Sequence, residues 1–423
     1  MKNNFKLQSA ILIIGIMLIF YLPAFAQKKE SELINSYWLT NRILIVGYGE
    51  MQMDMVAAVN TEKGVVIIDS GMSPSLTAKH RSIIEKEFGR SDFKYVINTH
   101  HHNDHTNGNQ VFKDAVIIAH ENAVKRMQDE NVEDEITAYV KQIRERNERR
   151  NQVLDTLEQE SELYKKLRDR IYVSGKMCDD YETVYHLTLP TLTFTNTLTL
   201  NMGDLNIELV YFGPGFHSDN DIIVCIPGEK IVFTGDLLLA KDQYHRVKSN
   251  SDIESWIACL GKIVKSKNEI KSIVAYHVGI LPGTVLSNFY DSLKAMRNEQ
   301  LQKKSAVDSL RAMISILNLQ DAVNKFEDQF LKNRNEEYFI WEGDLLSLAK
   351  EYEDTEKYDE AIMILKMGEK IFPNSTRVLY GQARIFTKEG ENHLAIEAYK
   401  KMLSIDPTNY YYVEMIFQLK NIE

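Results

Sequence analysis

Three histidines and an aspartate fall within six residues of this 423-residue chain: His100, His102, Asp104 and His105, in the pattern His-x-His-x-Asp-His. They follow the short apolar run Tyr95–Asn98, which reads as a buried strand, so the cluster falls in the loop at its C-terminal end. Packing gives no reason to gather imidazoles around a carboxylate in a solvated loop. Imidazole and carboxylate are, however, the ligands that a borderline divalent cation such as zinc takes.

Companions appear downstream, each after another strand-like run. Leu205–Phe212 alternates apolar and polar residues, breaks at Gly213-Pro214-Gly215 and delivers His217. Asp221–Pro227 and Ile231–Thr234 read as two strands around a Gly228-Glu229 turn, the second ending in Gly235-Asp236. Lys271–Tyr276 ends in His277. Short apolar runs bounded by glycine and proline favour strands over helix. Each polar residue thus stands at the carboxyl end of its strand, where layered folds collect chemistry on loops.

In this order the motifs His-x-His-x-Asp-His, Gly-x-x-x-His, Thr-Gly-Asp and a late histidine resemble the metallo-β-lactamase-fold hydrolase superfamily, over about residues 35–290. Asp69, in Val-Val-Ile-Ile-Asp-Ser-Gly, matches that family's early strand-end aspartate, which supports the metal loop rather than ligating. The resemblance implies an α/β fold, an αββα sandwich. It implies that His100, His102 and His217 hold one metal, that Asp104, His105 and His277 hold a second, and that Asp236 bridges them. The cofactor is then two divalent metal ions, Zn2+ foremost, with Fe or Mn compatible with the same donors. Two such cations about 3.5–4 Å apart share a water and lower its pKa towards neutrality, so hydrolysis needs no strong protein base. Asp104 gains a catalytic role, orienting the resulting hydroxide.

The substrate expected from this resemblance is a small ester, thioester, lactone or related molecule. A β-lactamase is one alternative, although members with a cysteine ligand carry it where Asp236 stands, and Cys225 and Cys259 are far from that place in the motif order. An iron-dependent persulfide dioxygenase is another; that branch uses only part of the cage, whereas the full set is present here. A third is a partner-binding repeat protein with vestigial catalysis. The sequence also departs from the family where Tyr276 precedes the last histidine in place of the usual glycine, and where Phe216 precedes His217. The Tyr276 phenol is expected to narrow the pocket or donate a hydrogen bond to substrate. The loop after Asp236 carries His245, Arg246 and Lys248, which either contact a substrate carboxylate or sulfate or form a solvated charged loop.

The N-terminus reads as a secretory signal peptide over residues 1–26. Lys2 and Lys6 precede the apolar stretch Ile11–Leu22, and Pro23-Ala24-Phe25-Ala26 supplies the cleavage site. The apolar stretch is shorter than the roughly 20 residues a bilayer span needs. The protein is therefore expected to be exported, periplasmic or secreted, with an uncleaved membrane anchor as the alternative. A formal charge of −10 argues against nucleic acid, whose binding rests on Lys and Arg. Three cysteines without Cys-x-x-Cys spacing read as free thiols.

Beyond the catalytic domain, expected over 27–290, residues 291–423 carry an internal repeat. Leu345, Ala349, Tyr352, Ala361 and Pro373 recur as Leu379, Ala383, Phe386, Ala395 and Pro407 at a constant offset of 34. That period and pattern resemble tetratricopeptide repeats. Two units are fewer than such arrays need, and residues 286–340, with Val307, Leu310, Ile314 and Leu317 at helical spacing, are expected to supply more helices. Such an array offers a surface for a protein partner or for self-association. Residues 121–175 interrupt the catalytic domain with two or three helices, read either as a lid over the substrate cleft or as a structural insertion. His120, at the end of a strand just before them, reads as structural.

Overall fold

The computed structural model describes residues 33–49, 54–214, 216–238, 250–266, 270–332 and 337–421. The expected signal peptide and the loop holding His245, Arg246 and Lys248 lie outside them. Seven strands form the first sheet in sequential order: β1 (Ile34–Trp38), β2 (Ile43–Tyr48), β3 (Met55–Thr61), β4 (Gly64–Ile68), β5 (Phe93–Ile97), β6 (Val116–His120) and β7 (Leu192–Phe194). The first three pairings are antiparallel; β4 to β7 run parallel. The second sheet has the order β13-β12-β11-β10-β9-β8, from β8 (Thr197–Asn201), β9 (Asn206–Tyr211), β10 (Ile222–Ile226), β11 (Ile231–Gly235), β12 (Ser272–Ala275) and β13 (Gly279–Pro282).

Alternation along the strands explains why the sheets stack. Ile43, Ile45, Ala57, Val66 and Ile68 of the first sheet meet Ile207, Leu209, Ile222, Val224 and Phe233 of the second in one core. The opposite residues, Leu44, Val46, Val56 and Ile67, share an outer core with Ile84 on helix α1 (Pro74–Phe88). A third cluster joins Ile223, Val232 and Ile273 to Trp256 and Leu260 on a helix spanning Asn250–Ser266 and to Leu286 and Phe289 on the helix Thr284–Gln302. Strands buried on both faces lose polar alternation, and so β2 is an unbroken apolar run. The layering is αββα. Position 290, where the sequence suggests a change of domain, lies inside the Thr284–Gln302 helix, with Tyr290 buried in that third cluster.

Four helices follow α1 in the first half of the catalytic region. The one-turn α2 (Asn103–Thr106) carries part of the metal-ligand motif, and α3 (Glu121–Asp129), α4 (Glu133–Leu154) and α5 (Glu162–Thr183) form the insertion. Ser161 caps α5 by accepting from the Tyr164 N–H. The insertion is not a solvated appendage. Val140 and Ile143 of α4 and Val173, Met177 and Cys178 of α5 pack with Leu76 of α1, Met72 and Tyr48. None of the three cysteines forms a disulfide among the described residues; Cys178 is buried and Cys225 and Cys259 are half-buried.

With the Asn250–Ser266 and Thr284–Gln302 helices as α6 and α7, the C-terminal region comprises α8 (Ala306–Ile314), α9 (Leu319–Lys332), α10 (Glu342–Asp354), α11 (Tyr358–Ile371), α12 (Thr376–Lys388), α13 (Asn392–Ile405) and α14 (Tyr410–Lys420). The repeated alanines Ala349, Ala361, Ala383 and Ala395 are buried where paired helices meet. Val307 and Leu310 of α8 and Phe326 of α9 join the same core, so the 286–340 segment does extend the array. The array also touches the insertion. Arg150 on α4 pairs with Glu414 on α14 at 3.1 Å, both nearly excluded from solvent, and its guanidinium lies 5.7 Å from the Tyr410 ring centre.

Candidate metal centre

The ends of β4, β5, β9, β11 and β12 gather at one edge of the sandwich, and each delivers a polar residue there. Asp69 follows β4 in the left-handed region (φ 54), which Asp tolerates better than most residues. Its carboxylate accepts from the Thr99 N–H at 2.7 Å and the Thr99 hydroxyl at 2.8 Å, and lies 2.8 Å from His105 Nδ1. This supports the metal loop, as expected of Asp69, and leaves His105 Nε2 facing the centre of the cluster. The His105 carbonyl is held in turn by the Ser70 N–H at 2.8 Å. The two sheets are joined here, since the Ile222 N–H donates to the Thr99 carbonyl at 2.8 Å.

His217 is oriented by Asp221, whose carboxylate accepts from the His217 N–H at 3.1 Å and lies 3.2 Å from Nδ1. Sequence reasoning missed Asp221 because it opens an apolar strand; its signal was the carboxylate four residues after a ligand in a tight polar turn. It also missed Asn220, whose side-chain oxygen accepts from the His101 N–H at 2.9 Å, while His101 Nε2 sits 2.9 Å from Glu130. These contacts hold His101 outside both ligand groups, with its ring 4.5 Å from that of His102. Gly235 precedes Asp236 at φ 51, and a Cβ there would meet Thr99 Oγ1 at 2.5 Å, so the close approach of β11 to the metal loop demands glycine.

All seven sequence-predicted ligands converge. Donor atoms of His100, His102, His217 and Asp236 lie within 4.8 Å of one another, as do those of Asp104, His105 and His277. His100 Nε2 and His102 Nδ1 are 2.9 Å apart. Asp236 reaches both groups: one oxygen is 3.7 Å from His217 Nε2 and 3.2 Å from His277 Nε2, the other 3.3 Å from His105 Nε2. His277 Nε2 is 3.1 Å from Asp104 Oδ2. His100 and His105 are buried, whereas the His277 side chain is 30% exposed and marks the open side.

The two groups differ in electrostatic surroundings. Burial, followed by neighbouring imidazoles, pushes His100 well below the usual histidine range and His102 down to about 4. In the second group burial also opposes charge, but carboxylates overcome it. Asp69, Asp104 and Asp236 hold His105 well above its ordinary value, and Asp104 and Asp236 push His277 up to about 10. Asp104 and Asp236 are themselves held low against burial by His105 and His277.

The donor set suits a divalent cation by an internal criterion. Asp236 Oδ1 and His105 Nε2, buried at the centre of the cluster, face each other at 3.3 Å in a geometry too poor for a good hydrogen bond, which is costly unless something between them satisfies both. Neutral imidazoles on one side and surplus carboxylate on the other complete the coordination chemistry.

Sequence comparison agrees. Residues 55–277 match the profile of the Metallo-beta-lactamase superfamily, more than half of the chain. The chain belongs to the metallo-β-lactamase superfamily. Residues 376–409 match a tetratricopeptide repeat, a unit associated with protein interaction. The metallo-beta-lactamase type 2 of Bacillus cereus is 22% identical over 267 residues, 62% of this chain and 82% of that protein. Among solved structures, a metallo-beta-lactamase from Pontibacter korlensis has 17% identity and a TM-score of 0.39, covering 62% of this chain and 99% of that one. The sec-alkylsulfatase Pisa1 from Pseudomonas sp. has 11% identity and a TM-score of 0.48, covering 91% of this chain and 64% of that one. Membership brings a metal-dependent, hydrolase-type function, and the fold implies divalent metal ions.

One expected substrate contact is corrected. Tyr276 is buried, and its hydroxyl donates to the Asp104 carbonyl at 2.7 Å and accepts from the Met55 N–H at 3.1 Å. The phenol turns into the fold because both backbone groups need a partner there, so it does not line the substrate pocket. His120 is structural as expected, stacked on Tyr211 at 3.8 Å with Nε2 3.0 Å from the Thr195 carbonyl. The insertion borders the metal loop, where the Asn107 amide donates to the Tyr181 hydroxyl at 2.9 Å and Asp180 accepts from the Ser75 N–H at 2.8 Å.

Proposed function

We propose that this chain is an exported hydrolase that cleaves an ester, thioester, lactone or related small substrate with two divalent ions, Zn2+ foremost. The observation that carries the reading is the reach of Asp236 into both ligand groups, within 3.7 Å of His217 and 3.2 Å of His277. His100, His102 and His217 would hold one ion and Asp104, His105 and His277 the other, with Asp236 shared. When bound, the ions supply Lewis acidity to the scissile group and acidify a water between them. The chain's own residues do the rest. Asp69 and Asp221 fix the tilt of His105 and His217, so that their Nε2 atoms converge without reorganisation. Asp104, kept ionised and partly exposed, presents an acceptor that orients the attacking water. His277, at the open side, meets the incoming substrate.

Export rests on the charge, apolar stretch and Ala-x-Ala pattern of residues 1–26. The repeat region supplies a face for a protein partner or a second copy of the chain. The test is turnover by the full, zinc-loaded protein of lactone, thioester, aryl ester, aryl sulfate and phosphodiester reporters, with a β-lactam included because relatives bear that name. Hydrolysis of one of the first group, abolished by a chelator and restored by Zn2+, is expected. β-Lactam turnover alone would select the β-lactamase reading, and a loaded protein inert to the whole panel would overturn the proposal. N-terminal sequencing of secreted protein is expected to begin at Gln27.

A further inference from the structure

Asp104 stands in a helix of one turn, and its carbonyl is left without the partner a longer helix would give it. The Gly108 N–H, four residues on, donates instead to the Gly71 carbonyl at 3.2 Å. The Asn107 N–H goes to Asn103. The Asp104 carbonyl instead receives the Tyr276 hydroxyl at 2.7 Å, and that oxygen accepts the Met55 N–H at 3.1 Å. A continuous chain thus runs from the start of β3 in one sheet, through the residue after β12 in the other, to the metal loop. The Tyr276 ring also lies against His105, with ring centres 3.9 Å apart. His105 has further anchors in Asp69 and Ser70; for the backbone of Asp104, the phenol is the one side-chain anchor among the described residues.

We infer that Tyr276 is a positioning residue for the second metal-binding group: its buried phenol sets the backbone of Asp104 and the ring of His105, and thereby the affinity of the Asp104–His105–His277 site. The inference rests on the two-ion reading above. It assigns no substrate contact to Tyr276. The first group, His100, His102 and His217, has no link to the phenol comparable to these, so the effect of losing it should fall on one ion.

The test titrates Zn2+ or Co2+ into metal-free full-length protein, wild type and Tyr276→Phe, following each site by the Co2+ visible spectrum and each stoichiometry by elemental analysis. Tyr276→Phe keeps the ring against His105 and removes only the hydroxyl. The expected result is a second-ion affinity lower by at least about tenfold with the first unchanged, the size of effect typical of groups that orient metal ligands. The loss in turnover should fall on kcat rather than KM. Should Tyr276→Phe fail to fold, a difluorotyrosine at 276, nearly isosteric but with an altered donor, is expected to shift the second-ion affinity alone. Equal affinities for both ions in wild type and variant, or equal losses at both sites, would overturn the inference. Wild-type protein that takes up no second ion would instead overturn the proposed function, so the two failures are separable.

Discussion

The two ligand groups lie side by side yet are built on opposite electrostatic principles. Around His100 and His102, burial and crowding by other imidazoles keep the rings neutral, with their lone pairs available to a cation. Around His105 and His277, carboxylates outweigh burial and raise both imidazoles, the mark of surplus negative charge where a cation would sit. The first group is prepared for an ion by withdrawing solvent, the second by supplying negative charge. Asp236 stands in the first group and lies 3.3 Å from His105 and 3.2 Å from His277 of the second, which is where the two meet.

That contrast can be broken by single substitutions. The largest effect is expected from Asp236→Ala, which removes the ligand common to both groups. Ion content should fall at both, and turnover by about a thousandfold or more, as Lewis-acid stabilisation is worth several kcal/mol. Asp104→Ala should be more selective. Elemental analysis is expected to show about one ion lost per chain with the first site filled, and activity down by about a hundredfold. Asp221→Ala frees the His217 ring on the other side; the first-site affinity should fall by about 10–100-fold, measured by competition with a chelating dye. Equal loss at both sites from either of the last two substitutions would show that the groups are not separate sites.

Much of this was legible in the sequence, for a physical reason. Ligand residues follow short strands whose apolar character is enforced by burial, so the motif and the strand pattern point to the same place; His100 to His105 after β5 and Asp236 after β11 are examples. Tyr276 was misread because its neighbour His277 faces the centre, and strand alternation alone does not say that a phenol two backbone groups away will be claimed by Met55 and Asp104. Asp221 was missed because it opens an apolar strand. Contacts made across more than 200 positions, such as Arg150 with Glu414, leave no local signature at all.

That last pair gives the smallest effect expected on the metal centre. Removing one partner of a buried ion pair leaves an uncompensated charge, so Glu414→Ala should lower stability by about 3–5 kcal/mol in chemical denaturation. Ion content of the folded fraction should be unchanged, because α14 touches the insertion and not the ligands. An equal loss of ions would mean that the repeat array and the metal centre are one energetic unit.

The central claim is that residues from both sheets converge on two ions. Anomalous diffraction at the zinc edge from crystals of the zinc-loaded chain tests it most directly. Two peaks are predicted, one among His100, His102 and His217 and one among Asp104, His105 and His277, each in contact with Asp236. A map with no peak among these side chains, or with zinc bound elsewhere, would contradict it.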